Sequence, residues 1–180
     1  MSRENKATIT FHAIGDVHIS DNHLHLSREA MAGSIKLVEK DRDVDFVVVM
    51  GDVFDRHDNV KLSHMTLAHK FIKDLSALKP TVVLVGNHDR VNNKDFMSPI
   101  HPYMGIKDEP KKLYIADRPK LLILRKVVDG VEKHFKILFM PYVEPGRFVE
   151  AINRFIEDSH KLDKHKDITR IEDLTMIFAH

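Results

Sequence analysis

Three short stretches of this chain set a glycine directly before side chains that bind metals or move protons. They are Gly15-Asp16-Val17-His18, Gly51-Asp52-Val53-Phe54-Asp55-Arg56 and Gly86-Asn87-His88-Asp89. Carboxylate oxygen, amide oxygen and imidazole nitrogen together suit manganese, iron or zinc better than calcium or magnesium. Asp16 and His18 stand two residues apart, a spacing that turns both toward one ion if the segment is extended. Asp52 is placed to bridge two ions, and Asn87 can serve the second through its amide oxygen. His88, its neighbour, would then face a substrate. Any one of these motifs could be an ordinary turn; three in order point to a metal site.

The elements that would position them are legible as apolar, β-branched runs. Thr8 to Ile14, Phe46 to Met50 and Thr81 to Val85 each end just before a motif, and such runs read as buried strands of a parallel sheet. Parallel sheets place ligands beyond the carboxyl ends of their strands, which is where all three motifs fall. Between them, Ser27 to about Lys40 has Met31, Ile35 and Val38 on one helical face, with Ser27 as the expected N-cap. Leu62 to Leu78 repeats the helical period through Met65, Ala68, Ile72 and Leu75. Strand–helix–strand–helix–strand order predicts right-handed crossovers and an α/β fold.

The second half changes character. Val91 to Pro110 reads as a long loop, and Asp129-Gly130 between the runs Leu121 to Val128 and Val131 to Met140 is a hairpin signal. Arg147 to about Ser159 suits a helix with Val149, Ile152 and Ile156 inward. His160 to Asp173 is a charged run, read as a solvated helix end and loop. Leu174 to Phe178 is a final apolar strand, followed by Ala179-His180.

Taken together these residues resemble the calcineurin-like metallophosphoesterase superfamily. Its pattern is Asp-x-His, Gly-Asp-x-x-Asp-Arg, Gly-Asn-His-Asp/Glu, a lone His ending a later strand, and Gly-His-x-His. The resemblance implies a layered α/β/β/α fold over residues 1–180. It also implies that Asp16 and His18 bind one divalent ion, that Asp52 bridges, and that Asn87 and His180 bind the other. His88 would be the acid near the leaving group, Asp55 its orienting carboxylate and Arg56 a phosphate contact. The implied chemistry is two-metal hydrolysis of a phosphoester, by in-line attack of hydroxide. Manganese is the expected metal, with iron or zinc as alternatives.

Within the superfamily the chain looks most like SbcD-type recombination and DNA-repair nucleases. The segments Gly51-Asp52-Val53-Phe54-Asp55 and Ile137-Leu138-Phe139-Met140-Pro141-Tyr142 carry that likeness. It implies DNA as substrate, an SbcC-like ATPase partner and room for a homodimer. Phosphatase or small-molecule phosphodiesterase activity, or a degenerate binding module, are the alternatives. No Gly-His occurs in the 180 residues, so the expectation is a catalytic domain lacking its C-terminal portion.

Composition narrows the setting. With 28 basic and 27 acidic residues the net charge is +1, which gives no global pull toward nucleic acid, so a DNA substrate needs a local surface. The absence of cysteine excludes disulfides and thiolate metal sites. No apolar run is long enough for a membrane span and Met1 to Lys6 is not of signal-peptide type, so an intracellular protein is expected, in cytoplasm, nucleoid or nucleus. Thirteen histidines make any single one a weak indicator, so His12, His23, His25, His57, His64 and His69 are read as solvated or packed.

Overall fold

The computed structural model describes residues 8–56, 59–92, 96–107, 112–161 and 168–180. Four short strands, β1 (Phe11–Ile14), β2 (Phe46–Val49), β3 (Thr81–Leu84) and β4 (Leu113–Ala116), pair in parallel in the order β1-β2-β3-β4. Two helices of 17 residues, α1 (Leu24–Lys40) and α2 (Leu62–Leu78), supply the crossovers from β1 to β2 and from β2 to β3. The chain then forms β5 (Lys120–Val128), β6 (Val131–Met140), α3 (Phe148–Lys161) and β7 (Met176–Ala179). Strand β6 runs antiparallel to β5 and parallel to β7 in a second, three-stranded sheet.

Alternation along the strands builds the layers. Val47 and Val49 of β2, with Val83 and Ile115, pack on Met31 and Val38 of α1 and on Ala68, Ile72 and Leu75 of α2. Phe46 and Val48 point the other way, with Val82, Leu84 and Ala116, onto Ile137, Phe139 and Phe178 of the second sheet. Leu138 and Met140, on the far side of β6, meet Ala151 and Ile152 of α3. Every strand of β2 and β3 is therefore buried on both faces, which is why their sequences are continuous apolar runs. Helices, sheet, sheet and helix form the α/β/β/α arrangement that the resemblance implies. Aromatic rings fill the inter-sheet layer: Phe139 stacks on Phe178 at 5.3 Å, and Phe46 meets both edge-on.

Four local expectations are corrected, the plainest being Val149 of α3, expected inward but exposed, while Ile152 is buried. Helix α1 starts at Leu24, ahead of Ser27; the Ser27 hydroxyl donates to the His23 carbonyl at 3.3 Å and lies inside the first turn instead of capping it. Strand β4 is not legible in the sequence, because a four-residue run between charged neighbours carries too little periodicity to register. Part of the long loop is core: Pro102–Ile106 forms a 3-10 turn whose Tyr103 and Ile106 are buried under the first sheet. The hairpin holds as expected, Asp129 and Gly130 both taking the left-handed conformation that joins twisted strands tightly. Residues 93–95, 108–111 and 162–167, on which parts of the loop and charged-run readings fall, lie outside the described residues.

Candidate metal centre

All three motifs emerge at the carboxyl edge of the first sheet, and β7 delivers His180 to the same edge from the second. The loops are stitched together by main-chain bonds. The His18 N–H donates to Asp52 O at 3.1 Å, Ile19 N–H to Val53 O at 2.8 Å, and Met50 N–H to Ile14 O at 2.8 Å. The His88 N–H donates to the Asp52 carboxylate oxygen Oδ1 at 2.9 Å.

Asp16 and His18 do not sit on an extended segment. Their φ angles are +39° and +45°, and Asp52 has +47°, so three proposed ligands occupy the left-handed region that side chains usually avoid. Sequence could not show this, because strand periodicity stops at Ile14 and the tight turn that follows bends both side chains inward. The outcome is convergence: one ligand atom each from Asp16, His18 and Asp52 lies within 4.8 Å of the others. Backbone strain of order 1–3 kcal/mol per residue is characteristic of sites held by their surroundings.

A second group gathers on the other side of Asp52. His180 Nδ1 lies 2.7 Å from the Met50 carbonyl, which can only accept, so Nδ1 carries the proton. That leaves Nε2 directed at Asn87 Oδ1, 3.0 Å away, and Asp52 Oδ1, 3.4 Å away. Three lone-pair atoms thus face one another and need a positive charge between them. In the metal-free chain a proton at Nε2 would answer them. Burial disfavours an imidazolium, but contact with the Asp52 carboxylate and the Met50 carbonyl outweighs that and raises the His180 pKa. Burial likewise disfavours the Asp52 carboxylate, and His180 with the His88 N–H overcomes it and lowers its pKa. A divalent cation fits this donor set and would replace the proton, because a metal-bound imidazole is neutral. Asp52 belongs to both groups, so it is the residue that can join two ions.

His88 is held by Asp55, and the contact includes the main chain: His88 Nδ1 lies 2.5 Å from the Asp55 carbonyl. The Asp55 carboxylate lies 3.9 Å from His18 Nδ1 and 3.8 Å from Arg56 Nε. Arg56 is exposed at the rim. Two clefts lie beside the motif loops. A polar one of about 270 Å³ runs from Asp55 and Arg56 to Ser20, Asn59 and Lys61, and an apolar one of about 350 Å³ lies beside Asp16 and His18 against Leu26, Met31 and Phe71. Of the histidines set aside, His64 is buried and 3.2 Å from Asp21, while His12 pairs with Asp41 at 3.2 Å.

One residue of the third motif had no assigned role in the sequence. Asp89 is fully buried, and burial pushes its carboxyl up to about 6 despite the Gly86 and Phe54 N–H donors that favour its charge. The Tyr103 hydroxyl faces it, short of a full hydrogen bond. An unfolded aspartate titrates near 3.9. Between those values the folded chain holds a proton that the unfolded chain has shed, so this group's stabilisation is complete below about pH 4 and is lost as pH rises through 6. In chelator-treated protein, the Asp89 carboxyl carbon followed by NMR should titrate near 6; a midpoint near 4 would show that burial does not govern it.

The comparisons with known proteins agree with this geometry. The family described as calcineurin-like phosphoesterase matches residues 9–176, so the chain belongs to that family. "Putative phosphoesterase 078R" of Invertebrate iridescent virus 3 is 32 % identical over 180 residues, covering 100 % of this chain and 46 % of the viral protein. "Putative phosphoesterase 244L" of Invertebrate iridescent virus 6 is 32 % identical over 140 residues, 78 % of this chain and 46 % of its own. The chain therefore spans about half the length of the curated relatives it matches. Family and site together support metal-dependent hydrolysis of a phosphoester. Among the described residues no helix is long and apolar enough to cross a membrane.

Proposed function

We propose that the chain is the catalytic portion of a nuclease that hydrolyses phosphodiester bonds in DNA, with two divalent ions, manganese foremost. The observation that carries the two-ion reading is Asp52, shared by the Asp16/His18 group and the Asn87/His180 group. The polar cleft beside Asp55 and Arg56 and the apolar one beside Asp16 and His18 offer room for the substituents of a diester. DNA, an SbcC-like ATPase subunit and a repair or recombination setting follow from the motif likeness.

Bound ions would activate water and offset charge on the phosphoryl oxygens. The chain's own residues do the rest. The Asp55 carbonyl accepts from His88 Nδ1, so the proton that His88 exchanges with the leaving oxygen is the one at Nε2. Arg56, exposed at the rim, can approach a phosphoryl oxygen without leaving a buried partner unpaired.

Assays with Mn²⁺ on single- and double-stranded DNA, bis(p-nitrophenyl) phosphate and p-nitrophenyl phosphate test this. Cleavage of DNA and of the diester is expected. Hydrolysis of the monoester alone would replace the reading by a phosphatase; no bound metal by elemental analysis would favour a binding module.

A further inference from the structure

We infer that Asp89 is a positioning residue, a buried clasp that fixes the loop carrying Asp52 against the loop carrying Asn87 and His88. The inference rests on the reading that these loops hold the ions. Asp89 Oδ1 accepts the Phe54 N–H at 3.2 Å, and Oδ2 accepts the Gly86 N–H at 3.1 Å. Phe54 lies two residues beyond Asp52, and Gly86 directly before Asn87, so one carboxylate grips each loop at its ligand. Both bonds are buried, where an unanswered N–H is costly. The first loop is drawn in as well, because Ile19 pairs with Phe54 as a parallel bridge.

The clasp is itself held from below. Tyr103, fully buried in the 3-10 turn, lies against the Phe54 ring at 6.0 Å and the His101 ring at 5.8 Å. His101 Nδ1 accepts the Tyr103 N–H at 3.2 Å, so its proton is on Nε2, which points at Asp117 Oδ2, 3.5 Å away. Asp117 follows β4 directly and is also paired with Lys107. The loop that read as irregular therefore ties the fourth strand to the underside of the clasp. Partners outside the ligand set commonly contribute 10–100-fold to metal affinity by orienting the ligands.

Asp89→Asn tests the assignment, because it keeps the shape but replaces one acceptor by an NH₂ group facing a donor. Calorimetric titration with Mn²⁺ should show about 10–100-fold weaker binding. In the metal-free protein, exchange of the Phe54 and Gly86 amides should quicken about tenfold or more. Asp89→Glu, which keeps two acceptor oxygens, should recover most of the affinity. A folded Asp89→Asn protein with wild-type Mn²⁺ affinity and unchanged exchange would overturn the inference. If Asp89→Asn fails to fold, the wild-type amides decide: fast exchange at Phe54 and Gly86 overturns it, and strong protection supports it. A wild-type chain that binds Mn²⁺ yet cleaves no phosphodiester would defeat the nuclease reading and leave this test intact.

Discussion

For the proposed nuclease, replacing His88 with alanine is expected to lower kcat on DNA by roughly 10²–10⁴-fold while bound metal stays at its wild-type stoichiometry. The separation of the two readouts comes from the geometry. The bond from His88 to the Asp52 carboxylate is made by its main-chain N–H, 2.9 Å from Oδ1, and alanine keeps it. What is lost is the ring, held by the Asp55 carbonyl and edge-on to the His18 ring at 5.2 Å. An acid matters in proportion to how badly the leaving oxygen needs a proton. The deficit should therefore be large for DNA, whose leaving group is an alkoxide, and much smaller for a diester of p-nitrophenol. An equal loss on both substrates would show that His88 serves some other step. Loss of metal with loss of turnover would instead make it a support for His18.

How much of this was legible beforehand varied with the physics behind each feature. The parallel α/β half is readable because β2 and β3, buried on both faces, must be continuously apolar, and because α1 and α2 keep a helical stripe; the four-layer arrangement is legible only through the motif resemblance. Strand β4 was invisible for the opposite reason: Leu113 to Ala116 is four residues long, and its place in the sheet is set by its neighbour β3, not by its own pattern. The candidate ligands were legible as residue types, and the structure brings Asp16, His18 and Asp52 together, and Asn87 with His180. Their backbone conformation was not. The positive φ of Asp16, His18 and Asp52 is imposed by the stitching of three loops far apart in sequence. Asp89 shows the same limit, since its role depends on N–H groups 35 and 3 residues away. Sequence also made the three leading glycines look alike, and space separates them. A side chain at Gly15 would meet nothing within 4 Å, whereas Gly51 and Gly86 sit where loops touch.

That contrast gives the second large effect: Gly86→Ala should disable the centre as thoroughly as removing Asp52, although it deletes no ligand. Gly86 is not in the left-handed region, so the backbone itself would accept alanine. The obstacle is space. A Cβ there would fall 2.2 Å from Asp52 Oδ1 and 2.5 Å from the Asp52 nitrogen. The nitrogen cannot retreat, since the same residue's carbonyl is bonded to His18 N–H and its carboxylate to His88 N–H. The side chain is the softer of the two, so the carboxylate must rotate away or the loops must part. Either movement takes from both ligand groups the one residue they share. Misplacement of a ligand by about 1 Å can cost 10²-fold or so, and in the proposed two-ion centre both ions would depend on it, so Mn²⁺ binding and turnover should each fall by about 10²-fold or more. Overpacking of this kind also costs about 1–3 kcal/mol of stability, measurable by urea denaturation of the metal-free protein. Gly15→Ala, with open space and no left-handed φ, should keep its metal and its stability within about 0.5 kcal/mol. If Gly86→Ala bound Mn²⁺ as the wild type does, the carboxylate of Asp52 would be free to move without consequence, and it could not be the bridge.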